Sequence, residues 1–202
     1  ISIKGKNTST GATSEAGVWL NYHTAMNAGR GQIYIQGDNY GNNTYNHGVE
    51  LTAYGSNTYS NFVANGGDAN NPAITIVGSA VNTNSAAVDN AWWSNVQGST
   101  NLQANGAGGI SITGRNGASS NYYAIELAGA NLLSKSGPII LDGGTRGVRL
   151  GNTWNNGVAN TIGDCGSTTG GAAQPALRVC DTNNRSTADI RVIADRFFIG
   201  GA

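Results

Sequence analysis

Charge is scarce in this chain. Only 11% of its 202 residues are charged, and its 11 basic and 11 acidic side chains leave a formal net charge of zero, where an average soluble chain has roughly a quarter of its residues charged. Without a basic excess there is no positive stripe for a nucleic acid. Long apolar runs are also missing. None approaches the ~20 residues of a membrane-spanning helix, so no membrane insertion is expected. Apolar residues never recur at a sustained i, i+3, i+4 spacing, so no helix is expected either. Histidine is limited to His23 and His47. Neither lies in a nucleophile or metalloprotease motif, and both are expected at the surface. There is no glycine loop in a strand-to-helix context to cradle phosphate and no Asp-x-Asp-x-Asp-Gly calcium loop. No metal and no cofactor are expected.

Cysteine is nearly absent. Cys165 and Cys180 lie fifteen residues apart, with no further Cys or His nearby to make a zinc site. In an oxidising compartment the pair would close one loop, worth roughly 3 kcal/mol by chain entropy. The alternative is two free buried thiols. The lysine-poor, asparagine-rich composition points toward export.

The chain is rich in Gly (31 residues), Asn, Ser and Thr. Disordered chains carry high charge and few β-branched or aromatic residues, whereas Ile, Val, Tyr and Trp recur here at patterned positions. Many short strands joined by tight turns fit better, with Gly and Asn supplying positive φ in the turns.

An internal repeat gives this reading its form. The pattern apolar-x-apolar-x-Gly occurs at Ile1–Gly5, Ile33–Gly37, Ile74–Gly78, Ile110–Gly114 and Ile139–Gly143, with starts 32, 41, 36 and 29 residues apart. A second pattern follows at Gly17-Val18-Trp19-Leu20, Gly48-Val49-Glu50-Leu51, Ala124-Ile125-Glu126-Leu127 and Gly147-Val148-Arg149-Leu150, with Ala87-Val88-Asp89 as a degenerate third member. A weaker third pattern includes Phe62–Gly66, Leu102–Gly106 and Leu132–Gly137. Each unit therefore holds about three short strands with period-2 alternation. One unit cannot bury its apolar edge, but stacked units ~4.8 Å apart can. The expected inward ladders are Ile1, Ile33, Ile74, Ile110, Ile139 and Ile3, Ile35, Ile76, Ile112, Leu141. The fold class is all-β, a right-handed parallel β-helix of about five to six coils, its hand following the preference of parallel crossovers. Residues 1–152 form the regular coils. Residues 153–202 form terminal coils with a long loop that a Cys165–Cys180 bond would close. Residues 38–47, 54–61 and 79–100 are expected as protruding loops. The apolar ends, Ile1-Ser2-Ile3 and the run 189–200, read as uncapped strands, which suits a segment excised from a longer solenoid or a subunit that stacks end to end.

The run from Gly109-Ile110-Ser111-Ile112-Thr113-Gly114 through Ala124-Ile125-Glu126-Leu127 to Ser136-Gly137-Pro138-Ile139-Ile140-Leu141-Asp142-Gly143 resembles the repeats of filamentous haemagglutinin-like exoproteins, adhesins exported by two-partner secretion. The resemblance covers roughly residues 1–150 and fades after Asn152. It implies a right-handed parallel β-helix in a secreted, cell-surface protein, serving adhesion or filament building.

Three functions are weighed. The first is a non-catalytic extracellular adhesin or structural shaft. The second is a subunit of a head-to-tail filament, whose partner is another copy of itself. The third is a polysaccharide-binding or polysaccharide-degrading β-helix. For binding, Trp92 and Trp93 stand out in the long 79–100 insertion, with Tyr54 and Tyr59 in neighbouring loops. Adjacent strand residues face opposite ways, so an exposed ring rimmed by amides could stack on a glycan of a host or cell surface. Equally, both rings could anchor the loop to the wall. For catalysis, Glu50, Asp89 and Glu126 would share one outward column with Trp19 and Arg149, close enough for a glycosidase-type carboxylate pair. The plainer expectation is a solvated ladder partly neutralised by Arg149, and no enzyme.

Overall fold

A computed structural model describes residues 1–9, 16–21, 23–42, 46–52, 59–81, 85–90, 99–117, 122–151, 160–164, 177–181 and 189–200, with backbone alone at 59, 99, 160–164 and 177–181. Among them there is no helix. The strands are β1 (Ser2–Asn7), β2 (Ala16–Asn21), β3 (Ala25–Asn27), β4 (Ile33–Asn39), β5 (His47–Thr52) and β6 (Tyr59–Ala64). They continue with β7 (Ile74–Ala80), β8 (Val88–Asp89), β9 (Ser99–Ala104), β10 (Ile110–Asn116), β11 (Ile125–Leu127) and β12 (Ala130–Ser134). The last are β13 (Ile139–Gly144), β14 (Val148–Leu150), β15 (Asn160–Asp164), β16 (Leu177–Asp181), β17 (Ile190–Ala194) and β18 (Phe197–Ile199).

These strands make three six-stranded sheets, every pairing parallel. The first sheet runs β1-β4-β7-β10-β13-β17, the second β2-β5-β8-β11-β14-β18 and the third β3-β6-β9-β12-β15-β16. The chain visits the sheets in turn, so each strand pairs with its equivalent one unit away. This stacked order is consistent with a parallel β-solenoid. One departure occurs near the end: β15 and β16 follow one another in the third sheet before the chain returns to the first.

The repeat sets the register. In the first sheet Ile33, Ile74, Ile110, Ile139 and Ile190 align, beside Ile3, Ile35, Ile76, Ile112, Leu141 and Val192. Ile1 precedes β1 and is half exposed; it joins the stack through its carbonyl, which accepts from the Tyr34 amide, and through its amino group, which donates to the Gln32 carbonyl. In the second sheet Val18, Val49, Val88, Ile125, Val148 and Phe197 align. In the third, Met26, Phe62, Leu102 and Leu132 do. Inward members of all three sheets fuse into one apolar core. Each fully buried Ile, Leu or Phe contributes roughly 1.5–3 kcal/mol by leaving water. The strand pattern follows: β4 and β7 alternate strictly between buried and half-buried residues.

The repeat's glycines have a different role from the one expected. Gly5, Gly37, Gly78 and Gly114 stack as a ladder on the first sheet, and none has positive φ. They are glycine because the next strand starts against them: a Cβ on Gly37 would sit 1.9 Å from the Gly48 carbonyl oxygen, and one on Gly114 2.4 Å from that of Ala124. Positive φ occurs instead at turn glycines such as Gly29 and Gly129. Two residues beyond the ladder, Asn7, Asn39 and Asn116 close the same corner. Buried Asn39 donates to the His47 carbonyl (3.1 Å) and accepts from the Gly41 amide (2.8 Å), and Asn116 donates to the carbonyls of Ser85 (2.7 Å) and Tyr123 (3.1 Å). These bonds satisfy backbone groups that the turn would otherwise strand.

Two of the expected protruding loops are shorter than 38–47 and 79–100 suggest. Strand β4 runs to Asn39, β5 starts at His47, β7 runs to Ala80, and β8 lies inside the second range. Likewise β6 takes up the end of 54–61.

Candidate functional site

The outward face of the second sheet carries the chain's densest ionisable cluster among the described residues. Register aligns Trp19 with Glu50, Glu50 with Asp89, Asp89 with Glu126, Glu126 with Arg149 and Arg149 with Phe198. The column expected from the repeat is therefore present, and Phe198 extends it. Neighbours on it are one strand spacing apart, ~4.8 Å.

Its environment is not the solvated one expected. Every residue of β5 is buried, and so are residues 85–90. Glu50 is 4% exposed, Asp89 6% and His47 4%. His47 is thus not a surface histidine, although His23 is. The difference is that β5 and β8 are covered on both faces, whereas β4 and β7 are half open on their outer one.

His47 and Asp89 lie close without a hydrogen bond between them. His47 Nδ1 lies 3.0 Å from the Ala86 carbonyl oxygen. A carbonyl only accepts, so Nδ1 carries the hydrogen and donates. In the neutral ring Nε2 is then a bare acceptor, and it faces a carboxylate oxygen of Asp89 at 3.6 Å. Two acceptors face each other unless a proton lies on one of them. Glu50 Oε1 and His47 Nε2 are both buried without a hydrogen-bond partner. Burial pushes the Glu50 carboxyl up to about 7; the positive charge of His47 opposes this and the negative charge of Asp89 adds to it. Glu126 is pushed up to about 7 as well, by burial first and by Asp89 second, against the pull of Arg149, the Tyr123 amide and His47. Both carboxyls therefore hold protons far above the usual carboxylate range.

At the ends of the column the residues open to solvent. Trp19 is 52% exposed, its indole N–H donating to the Thr52 hydroxyl (2.9 Å). At the other end the Arg149 guanidinium lies 5.4 Å from the Phe198 ring centre, Arg196 lies 4.8 Å from that of Tyr123, and the Tyr123 and Phe198 rings are 6.3 Å apart. Tyr122 and Phe198 are exposed beside them. The sequence reading missed this aromatic–arginine group. The signal was the Phe197-Phe198-Ile199 triplet, which occupies the register of the Val-x-Leu pattern.

Of the expected binding residues, Trp92, Trp93 and Tyr54 lie outside the described residues. Tyr59 opens β6 and pairs with Ser99 through the backbone, and its side chain is likewise outside them. Cys165 lies outside too. Cys180 is placed by its backbone alone, on β16 opposite Gly163, so the expected disulfide falls outside what is described. Among the described residues no group of three or more His, Cys, Asp or Glu side chains is arranged to hold a metal ion.

Chemically, the column can bind and release protons. Of its three carboxyls, Glu50 and Asp89 are buried and Glu126 is half-buried. Comparison with protein families, with curated proteins and with solved structures finds no match to this chain.

Proposed function

We propose that the chain is a length of non-catalytic shaft in an extracellular adhesin: a right-handed parallel β-solenoid of about five to six coils of three short strands each. The observation that carries this reading is the register. Three parallel ladders run through the whole described stack around one core, an arrangement that spends nearly all of its sequence on holding a rod together. Resemblance to filamentous haemagglutinin-like repeats supports a secreted, cell-surface setting. The adhesive contacts fall to the loops, with Trp92, Trp93, Tyr54 and Tyr59 as the residues that would meet a glycan or cell surface. The burial of Glu50 and Asp89 supports the absence of turnover.

The test has two arms. Purified protein is incubated with a panel of acidic and neutral polysaccharides and assayed for released chain ends, and its binding to a glycan array and to cells is compared with a folded Trp92→Ala/Trp93→Ala variant. The expected result is no chain cleavage, with binding that the double substitution removes. Cleavage that is lost in Glu50→Gln or Glu126→Gln would overturn the reading in favour of a polysaccharide-degrading enzyme.

Exposed apolar residues on the outermost strands favour a second reading, in which the ladders pair with a further copy of the chain. Trp19 lies at one end of the stack, and Ile193, Phe197 and Phe198 lie at the other. Sedimentation that grows with concentration supports a head-to-tail filament; a constant monomer supports the shaft.

A further inference from the structure

Asparagine precedes glycine at Asn65, Asn105, Asn116 and Asn156. The last lies outside the described residues. At the other three the glycine is required by packing. A Cβ on Gly66 would meet the Arg30 carbonyl oxygen at 2.5 Å, one on Gly106 that of Asn65 at 2.1 Å, and one on Gly117 that of Val81 at 1.9 Å. The fold therefore demands glycine at these corners, and glycine has a chemical side effect. With no side chain to shield it, its amide nitrogen is the backbone nitrogen best able to attack the carboxamide carbon of the residue before it.

By sequence the three sites are equal, but their hydrogen bonds are not. The Gly66 amide donates to the Gly31 carbonyl (3.0 Å) and the Gly117 amide to that of Ala80 (3.0 Å). Each nitrogen must break that bond before it turns toward a side chain. Asn116 is held further, because its carboxamide donates to the carbonyls of Ser85 (2.7 Å) and Tyr123 (3.1 Å). Gly106 differs. Among the described residues its amide makes no hydrogen bond, and neither does the Asn105 side chain. The chain around them is anchored: the Asn105 amide donates to the Ala64 carbonyl (3.2 Å), and the Gly106 carbonyl accepts from the Ser136 hydroxyl (2.9 Å). Both residues are half-buried, so water reaches them. Exposure alone would choose differently, since Asn65 is the more exposed asparagine.

We propose that Asn105 is a self-modification site, at which the Gly106 nitrogen converts the Asn105 carboxamide into a carboxylate while Asn65 and Asn116 are spared. The Gly106 amide gives its proton to solvent, and its nitrogen bonds to Asn105 Cγ. The Cγ–Nδ2 bond breaks and Nδ2 leaves as ammonia, taking up a proton. The product is a five-membered imide. Water then adds to either imide carbonyl and opens the ring. One opening leaves aspartate at position 105; the other leaves isoaspartate, whose main chain runs through Cγ. Overall, one water is consumed and one ammonia released, with no oxidant or reductant. Both products put a new charge in the corner where Asn65, Asn105 and Lys135 follow β6, β9 and β12 at equivalent positions. Lys135 is one strand spacing away, ~4.8 Å. Isoaspartate also lengthens the connection to β10 by one carbon, beside the close contact of Gly106 with Asn65. The change is one-way, so the rod acquires charge at this corner with age. This site does not depend on the adhesin reading and holds equally for a filament subunit.

The test is incubation of the intact folded chain in mildly alkaline buffer made with heavy-oxygen water, followed by peptide mapping with mass spectrometry and enzymatic isoaspartate labelling. Asn105 is expected to take up heavy oxygen roughly tenfold faster than Asn65 or Asn116, the factor set by one hydrogen bond that must break before attack. In denaturant the three sites are expected to convert at similar rates. Asn105→Gln, whose longer side chain closes a ring poorly, is expected to lose the fast phase of ammonia release; if that variant does not fold, site-resolved mapping of the unsubstituted chain decides alone. Folded-state conversion at Asn105 that is no faster than at Asn65 or Asn116 overturns the proposal. So does an Asn105 preference that persists unchanged in denaturant, which would make it a property of local sequence, or a fast ammonia phase that survives in folded Asn105→Gln.

Discussion

Replacing Gly37 with Ala separates two explanations of the repeat's glycines. If they serve conformational freedom, Gly37→Ala should be harmless, because φ at this position is not positive and alanine restricts the unfolded chain, a gain of ~0.4–1 kcal/mol. If they serve close approach, the new Cβ meets the Gly48 carbonyl oxygen at 1.9 Å, its carbon at 2.6 Å and Val49 Cγ2 at 2.9 Å, where ordinary contact begins at 3.4 Å. Gly48 cannot retreat, because its own Cα is wedged between levels: a Cβ there would lie 2.3 Å from the Ser79 nitrogen. The backbone of two strands must separate. Overpacking of side chains costs ~1–3 kcal/mol, and a backbone collision belongs at or above the top of that range, about 3 kcal/mol. For a chain of this length that lowers the melting midpoint by about 6–12 °C. Gly29→Ala is the control. Gly29 has φ of 54° with nothing within 4 Å of an added Cβ, so it bears only the left-handed cost of ~1–2 kcal/mol, reduced by the unfolded-state gain. Thermal melts followed by circular dichroism decide between the two explanations. A Gly37→Ala protein that melts at or above the Gly29→Ala midpoint would refute the close-approach argument.

Three further expectations follow from particular residues. Phe62 is fully buried at the centre of the third sheet's inward ladder, and Phe62→Ala is expected to cost ~3–5 kcal/mol in chemical denaturation, against ~1 kcal/mol for Phe62→Leu, which keeps most of the volume. Arg115 and Asp142 form a two-pronged pair across β10 and β13, with one contact at 3.1 Å, but half of the Arg115 side chain is exposed; Arg115→Ala is expected to cost ~1 kcal/mol or less, and less still in high salt. Stability should also depend on pH through Glu50. Its folded carboxyl is raised from 4.5 to about 7, so the folded state holds the proton more tightly than the unfolded chain does. The Glu50 contribution is best below pH 4.5, declines as pH rises toward 7 and is constant above, a loss of about 3 kcal/mol. Glu50→Gln should therefore gain on the wild type steadily across that window and lead it by up to about 3 kcal/mol at pH 8; a stability difference that is flat with pH refutes it.

Much of this fold is written in the sequence, because a stacked strand repeats its own environment. Ile33, Ile74 and Ile110 are recognisable as one ladder since each level demands the same shape at the same place, and the Glu50–Asp89–Glu126 column follows from the same alignment. What lies over that column is not local information. Spacing tells which face of the sheet Glu50 and His47 lie on or beside, not how far that face is buried, so it suggested solvent. The glycines were misread for a related reason: turn geometry and close approach both select the smallest residue, and only the position of Gly48 beside Gly37 distinguishes them. The last level was legible as strands but not as repeats. Ala194 stands where the pattern has Gly, and Phe197-Phe198-Ile199 where it has Val-x-Leu. The residues chosen for glycan contact, Trp92 and Trp93, belong to an insertion with no equivalent on other levels, so the repeat could not guide their placement.

The parallel pairing has a mechanical consequence. The hydrogen bonds between levels point along the stack, so a pull on its two ends does not shear the strands past one another. It draws levels apart, loading all three sheets side by side. The rod is then only as strong as its weakest level. Between the level of β10, β11 and β12 and that of β13, β14 and β15 the described sheets contribute four, three and two residue pairs, where β4 and β7 alone share seven. Under tension such a rod would part first between β10–β12 and β13–β15, with the levels on either side still folded and free to close again when the load is released.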